Sequence, residues 1–263
     1  GRGEAQAFDR FCDYTREIFA EVEGPFIRGP RPTPLTLLAE GGLNLVASLR
    51  RIDARRSLWQ AVQGVFSDPR LRQLFGRYAT YVGSSPFTAP ATLNLIAHVE
   101  QQGVWTPVGG MAALADGLWR LARSLGARAR LGARVERVLD RSGRVTGVVL
   151  AGGEVIEASA VVFTGGAEAL QGLLRPFARR KAPKPGPRSY SAVTWAGAAT
   201  PKGLELAGHN VFFSADYPAE FRALDAGRLP DAPTVYLCAQ DRLDGRTPRA
   251  PERLFALVNA PAI

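Results

Sequence analysis

Side chains that do most enzyme chemistry are scarce in this chain. Of its 263 residues, only His98 and His209 are histidines and only Cys12 and Cys238 are cysteines. Neither histidine has a second one at metal-ligand spacing. Two distant cysteines exclude a Cys-based zinc site, make a disulfide framework a poor expectation, and fit a reducing compartment. His98 stands in the apolar run "LNLIAHVE" and reads as a core or boundary residue. His209 begins "HNVFF" and reads as a loop or surface residue. There is no G-x-x-x-x-G-K-S/T phosphate loop, no G-x-S-x-G nucleophile elbow and no G-x-G-x-x-G dinucleotide turn. The strongest positive is Gly109-Gly110 in "GVWTPVGGMAALADGL", directly before an amphipathic run. Paired glycines there let backbone approach a bound group closely, and the helix that follows offers unpaired N–H groups. A plain turn that needs positive φ at one position explains the same pair.

These residues depend on elements legible around them. Phe8, Phe11, Ile18 and Val22 recur at helical spacing, so residues 5–23 read as an amphipathic helix ended by Gly24 and Pro25. A second helical region runs from Leu43 to Phe66, with Arg50, Arg51, Arg55 and Arg56 on exposed faces. Asp68-Pro69 starts another helix, cap residue then first-turn proline, with Leu71, Leu74, Phe75, Tyr78 and Tyr81 along one side. "GSSPFTAP" is a loop, and Pro90 opens a helix that closes near Gly103. Met111, Leu114, Leu118, Leu121 and Leu125 then form one helical stripe, closed by Gly126 in αL. Three strand-like runs follow, "ARVERVL", "RVTGVVLA" and "EVIEASAVVF", separated by Ser142-Gly143 and Gly152-Gly153 as hairpin turns. "RPFARRKAPKPGPR", from Arg175 to Arg188, reads as an exposed connector that could also touch anionic lipid. Beyond it, "SAVTWAGAA", "HNVFFSADY", "TVYLCAQD" and "RLFALVNAP" suggest a sheet of about four strands.

Composition narrows the classes further. With 46% hydrophobic and 22% charged residues, the chain can bury a substantial core. It carries 33 Lys+Arg against 24 Asp+Glu, a formal charge of +9. That balance favours anionic partners, although arginine spread along the chain also follows from GC-rich coding. No apolar run nears the roughly 18 to 20 residues that span a bilayer. The chain lacks Met at its start and an apolar signal segment, so it is expected to be processed or cut from something longer. With no RNP-like, zinc-finger or helix-turn-helix signature, nucleic acid is not an expected partner.

Residues 85–139, "SPFTAPATLNLIAHVEQQGVWTPVGGMAALADGLWRLARSLGARARLGARVERVL", closely resemble the phytoene desaturase family of flavoproteins. The tail "HNVFFSADYPAEFRAL", then "LPDAPTVYLCAQDR" and "ERLFALVNAPA", is similar to the branch of that family acting on hydroxyneurosporene or methoxyneurosporene. The resemblance covers nearly all of residues 68–263. It implies a protein near twice this size, with the FAD pyrophosphate turn and a C-terminal flavin segment outside this chain. It also implies an α/β fold of α+β character: part of an FAD/NAD(P)-binding Rossmann-like domain plus a substrate domain with helices over a mainly antiparallel sheet. The expected division is 1–104, helical part of the substrate domain; 105–167, inserted part of the FAD domain; and 168–263, β-rich part of the substrate domain.

In such a protein Gly109 and Gly110 would stand where the chain re-enters the FAD domain, as wall residues beside the cofactor. Val135 would meet the adenine edge through its backbone. Gly165 and Gly166 would offer backbone contacts where the family usually carries Asn and Asp. The implied reaction is FAD-dependent desaturation of an acyclic 1-hydroxy or 1-methoxy carotenoid, with the flavin as hydride acceptor. A long apolar substrate needs a long apolar tunnel. Trp195, Phe212 and Phe213 are candidates to line it, each also readable as core; no catalytic base is legible. Alternatives are an amine oxidase or carotenoid isomerase of the same superfamily, and an inactive fragment that only binds lipid. The expected setting is the bacterial cytoplasm, peripheral to the anionic inner (photosynthetic) membrane.

Overall fold

The computed structural model describes residues 1–30, 33, 51–174, 188–243, 248 and 251–262. Helix α1 (Arg2–Val22) buries Ala7, Phe11, Thr15 and Ile18, one stripe at spacings of three and four. The chain does not stop at Gly24-Pro25 as expected. It widens into a π-helical turn, Glu23–Arg28, that closes where the Gly29 N–H donates to the Gly24 carbonyl at 2.9 Å. Pro25 has no N–H for the α-helical ladder, and the turn widens past it instead of unwinding.

The helix expected over 43–66 is interrupted, its first part lying outside the described residues. Asp53 adopts φ +51, and α2 (Leu58–Val65) starts afresh at Ser57. There the Ser57 hydroxyl accepts from the Gln60 N–H and the Gln60 side chain accepts from the Ser57 N–H, a complete capping box. Helix α3 (Pro69–Gly76) begins as its sequence predicts, with the Asp68 carboxylate accepting from the Arg70 N–H at 2.9 Å. It then tightens into a 3₁₀ turn, Arg77–Val82, ended by Gly83 at φ +61. Tightening rotates the expected stripe: Phe75 and Tyr78 are buried, while Leu74 and Tyr81 are exposed. After a 3₁₀ turn at Ala91–Asn94, α4 (Leu95–Gln101) packs on α1. The rings of Phe11, Phe66 and Phe75 meet with centroids 4.6 to 5.2 Å apart, at the heart of this helical core. Each such pair adds about 0.5–1.5 kcal/mol beyond its buried area.

Helix α5 (Gly110–Ser124) is followed by Gly126 at φ +90. Then come β1 (Val135–Arg141), β2 (Arg144–Leu150) and β3 (Val155–Glu157), an antiparallel meander in that order. Ser142 and Gly143 both take positive φ, 53° and 79°, as a two-residue hairpin turn of type I′ requires. The last run is strand only over Val155–Glu157. Val161, Val162 and Phe163 pair with no strand among the described residues, and without a partner ladder an extended run is not a strand. Helix α6 (Ala167–Leu174) packs against β1.

The chain then forms β4 (Ser191–Ala199), β5 (His209–Phe212), α7 (Tyr217–Asp225), β6 (Val235–Ala239) and β7 (Glu252–Ala260). The four strands make one antiparallel sheet ordered β4-β7-β6-β5. Tyr217, Phe221 and Leu224 of α7 form a second core with Trp59, Phe87, Tyr190 and Phe213.

Two units result, Gly1–Thr106 with Arg188–Ile263, and Pro107–Pro187. The division expected at 104/105 falls at 106/107. The one expected at 167/168 falls at 187/188, because α6 packs on β1 and goes with the meander. The basic connector from Arg175 lies outside the described residues up to residue 187.

Candidate functional site

In the unit that begins at Pro107, the paired glycines make a tight turn. The Gly110 N–H donates to the Pro107 carbonyl at 2.8 Å, with Gly109 at φ +84 and Gly110 at φ +76. Both positions therefore need the left-handed region, one more than the simple turn reading asks. A Cβ on Gly109 would sit 3.0 Å from that of Ala113, whereas one on Gly110 would meet nothing within 4 Å. No side chain caps α5, so beyond the Gly110 N–H already given to Pro107 its first turn still offers backbone donors. Val108, just before the turn, is 99% exposed.

Val135 opens β1 opposite Leu150, with an irregular register between it and Arg137. The neighbouring backbone is fixed by the Ala151 N–H, which donates to the Arg134 carbonyl at 2.8 Å. Gly165 lies under the Phe163 ring, where a Cβ would come within 2.6 Å of it. The Gly166 carbonyl accepts from Leu170 and opens α6, with open space where a Cβ would stand. Because α6 packs on β1, the strand of Val135 and the helix opened by Gly166 are neighbours.

In the other unit, register sorts the aromatic candidates. Trp195 pairs with Ala256, which pairs with Leu237; Phe212 pairs with Val235, which pairs with Val258, which pairs with Val193. Directly opposed residues share a face, and so do residues two apart on one strand. Trp195 and Phe212 therefore stand on one face of the sheet, on its two outer strands, a face that is apolar between them except for Asn210 beside Phe212. Trp195 is 55% exposed and Phe212 40%. Phe213 departs from them: half-buried, it sets its ring edge-on to Tyr217, 6.3 Å between centroids, within the second core.

A buried polar cluster passes unnoticed in the sequence. Glu220 is only 2% exposed, and one carboxylate oxygen accepts from the Thr234 hydroxyl at 2.6 Å. Thr234 in turn accepts from the Ser214 N–H at 3.1 Å, and Gln73 donates to the Ser214 carbonyl at 2.8 Å. Burial pushes the Glu220 carboxyl above its ordinary value, partly offset by Thr234 and the Arg77 charge. The only sequence signal is that Glu220 falls on the apolar side of α7 with Tyr217, Phe221 and Leu224. In the helical core, Glu100 accepts from Tyr78 at 2.7 Å and Tyr81 at 3.1 Å. Burial is the main cause that raises both phenols, with the carboxylate adding to it. His98 is a boundary residue against Phe19, and exposed His209 shares a 2.7 Å hydrogen bond with Tyr236. No group of three metal-ligating side chains occurs among the described residues.

Comparison with known proteins matches residues 38–256 to the flavin containing amine oxidoreductase family. A hydroxyneurosporene desaturase of Rubrivivax gelatinosus is 48% identical, over 100% of this chain and 51% of its own length. One from Cereibacter sphaeroides is 42% identical over 99% and 53%. A 4,4'-diapolycopene oxygenase of a Methylomonas species is 36% identical over 93% and 50%. The chain thus spans about half the length of the curated relatives it matches. A solved putrescine oxidase mutant aligns with 100% of this chain and 53% of its own at 16% identity, with a TM-score of 0.49.

Proposed function

This chain belongs to the flavin containing amine oxidoreductase family, and on that premise we propose that its parent protein is an FAD-dependent carotenoid desaturase. The substrate in this reading is an acyclic 1-hydroxy or 1-methoxy carotenoid. The observation that carries it is 48% identity, across the whole chain, to a protein named hydroxyneurosporene desaturase.

Physical chemistry agrees. Dehydrogenating a C–C bond removes a hydride and a proton from neighbouring carbons, and no side chain accepts a hydride. A bound flavin supplies that acceptor. Residues of this chain suit such a group: two glycines in αL, an uncapped helix start, and open space at Gly110. Gly109 and Gly110 would form its wall, Val135 would meet its adenine edge through backbone, and Gly165 and Gly166 would offer further backbone contacts. Trp195 and Phe212 would support the polyene from their shared sheet face; Phe213 would back that wall from the core.

The +9 charge supports peripheral contact with an anionic membrane, where so apolar a substrate dissolves. No helix among the described residues is long and apolar enough to cross one. In this reading the protein works in the bacterial cytoplasm, against the inner (photosynthetic) membrane.

The test is the absorbance of this chain beside a version lengthened at both ends to match its relatives. Oxidised-flavin bands are expected in the longer protein alone, together with conversion of a hydroxylated acyclic carotenoid to a product two hydrogens lighter. A longer protein that is colourless overturns the cofactor. A product that gains oxygen moves the chemistry to that named for the Methylomonas relative.

A further inference from the structure

We propose that Ala256 gauges the polyene, setting which chains can lie on the sheet beside Trp195; this rests on the reading just given. On that face one cross-strand row runs Trp195, Ala256, Leu237, Asn210. A large side chain stands on either side of the smallest one that still carries a Cβ. The next row, Val193, Val258, Val235 and Phe212, has no such gap. Strands lie about 4.8 Å apart, so Trp195 and Leu237 stand about 10 Å apart at their backbones, with only a methyl group between. A conjugated chain is about 4 Å thick at van der Waals contact, so the thickness of one such chain fits the gap at Ala256.

The surroundings keep the trough usable. Ala256 and Leu237 are half-buried, whereas Trp195 is mostly exposed and its indole is free to cover an apolar guest. No charged side chain lies in either row, and the polar one at the end of the first, Asn210, already has its amide paired with the Ala207 backbone and the Leu237 carbonyl, so a guest would strip no polar group of water unpaired. Residues one step along, Thr194, Leu257 and Tyr236, belong to the opposite face and cannot serve. A larger residue at 256 would fill the trough from its floor while leaving both walls in place.

The experiment titrates lycopene in detergent micelles into the chain and follows tryptophan emission, which conjugated polyenes quench. Trp195→Phe identifies the share of quenching that belongs to Trp195. The midpoint is expected to rise in the order Ala256, A256V, A256L, by about tenfold for A256L, with A256G no weaker than the parent. T194L, on the opposite face, is expected to titrate as the parent does. Circular dichroism and melting confirm the fold of each; if A256L does not fold, A256V and A256G carry the comparison. Parent-like midpoints in A256V and A256L, or equal weakening in T194L, overturn the gauge while leaving the polyene reading in place. Absence of Trp195 quenching in the parent overturns the polyene's seat, and the gauge with it.

Discussion

Glu220 shows how one side chain can carry consequences that its neighbours in the sequence do not announce. Its buried carboxyl keeps its proton in the fold to higher pH than in the unfolded chain, where the ordinary value is 4.5. The stability linked to it is complete below that value and is lost as pH rises through the folded value. Gln at this position cannot ionise. E220Q and the parent should therefore match at acid pH and diverge in favour of Gln as pH rises, in urea denaturation midpoints across a pH series. A constant difference would mean that the carboxylate is already charged in the fold. Gly110 makes a second case. With φ +76 and nothing within 4 Å of the point where a Cβ would stand, G110A carries a conformational cost without a clash. That cost is about 1–2 kcal/mol, read from thermal unfolding of this chain. In the longer protein, a loss of flavin affinity beyond that cost would mark the turn as cofactor wall, and a loss equal to it would mark a turn only.

At the scale of elements, the signals that start helices work over three or four residues. The Ser57–Gln60 capping box satisfies two backbone donors reciprocally, and S57A should cost about 1 kcal/mol, measured as a lower denaturation midpoint with unchanged slope. The Asp68 cap is held at about 2, chiefly by the Arg70 side chain and then its N–H. Its contribution to α3 is present above the ordinary aspartate value of 3.8 and lost as pH falls toward 2. The Asp68 start was legible because every group involved is local. The break before Ser57 was not, since the run from Leu43 is continuously helical in composition and only the positive φ of Asp53 turns it. The third strand of the meander was likewise overread, because strandness needs a partner that composition does not supply.

Among the described residues, α5 leaves an apolar stripe without cover. Met111, Leu114, Leu118, Leu121 and Leu125, the stripe that makes α5 amphipathic, are all exposed, Leu118 by 61%. A patch of that kind marks a contact surface, and the relatives are about twice as long. The chain alone should bind an environment-sensitive apolar dye, and L118E should reduce that binding while shifting stability by less than about 0.5 kcal/mol. In the version lengthened to match its relatives, dye binding should disappear and L118E should cost more than about 2 kcal/mol. Equal small costs in both proteins would show that α5 faces solvent in the longer one too.

By itself the sequence determined the local and the inherited: the cap at Asp68, the Ser142-Gly143 hairpin, the αL glycines flanking α5, and the family. Each of these is written in a few adjacent residues or in a continuous match. Tertiary structure alone decided what depends on distant partners. Phe212 and Phe213 are adjacent and equally apolar, yet register with β6 puts one on the open sheet face and the other in the core against α7. Trp195 and Ala256 become neighbours only through the pairing of β4 with β7. α6 joins the meander only because β1 offers it a surface. Side-chain direction in a sheet alternates with every residue, so a single step of register, invisible in composition, decides which residues meet a substrate.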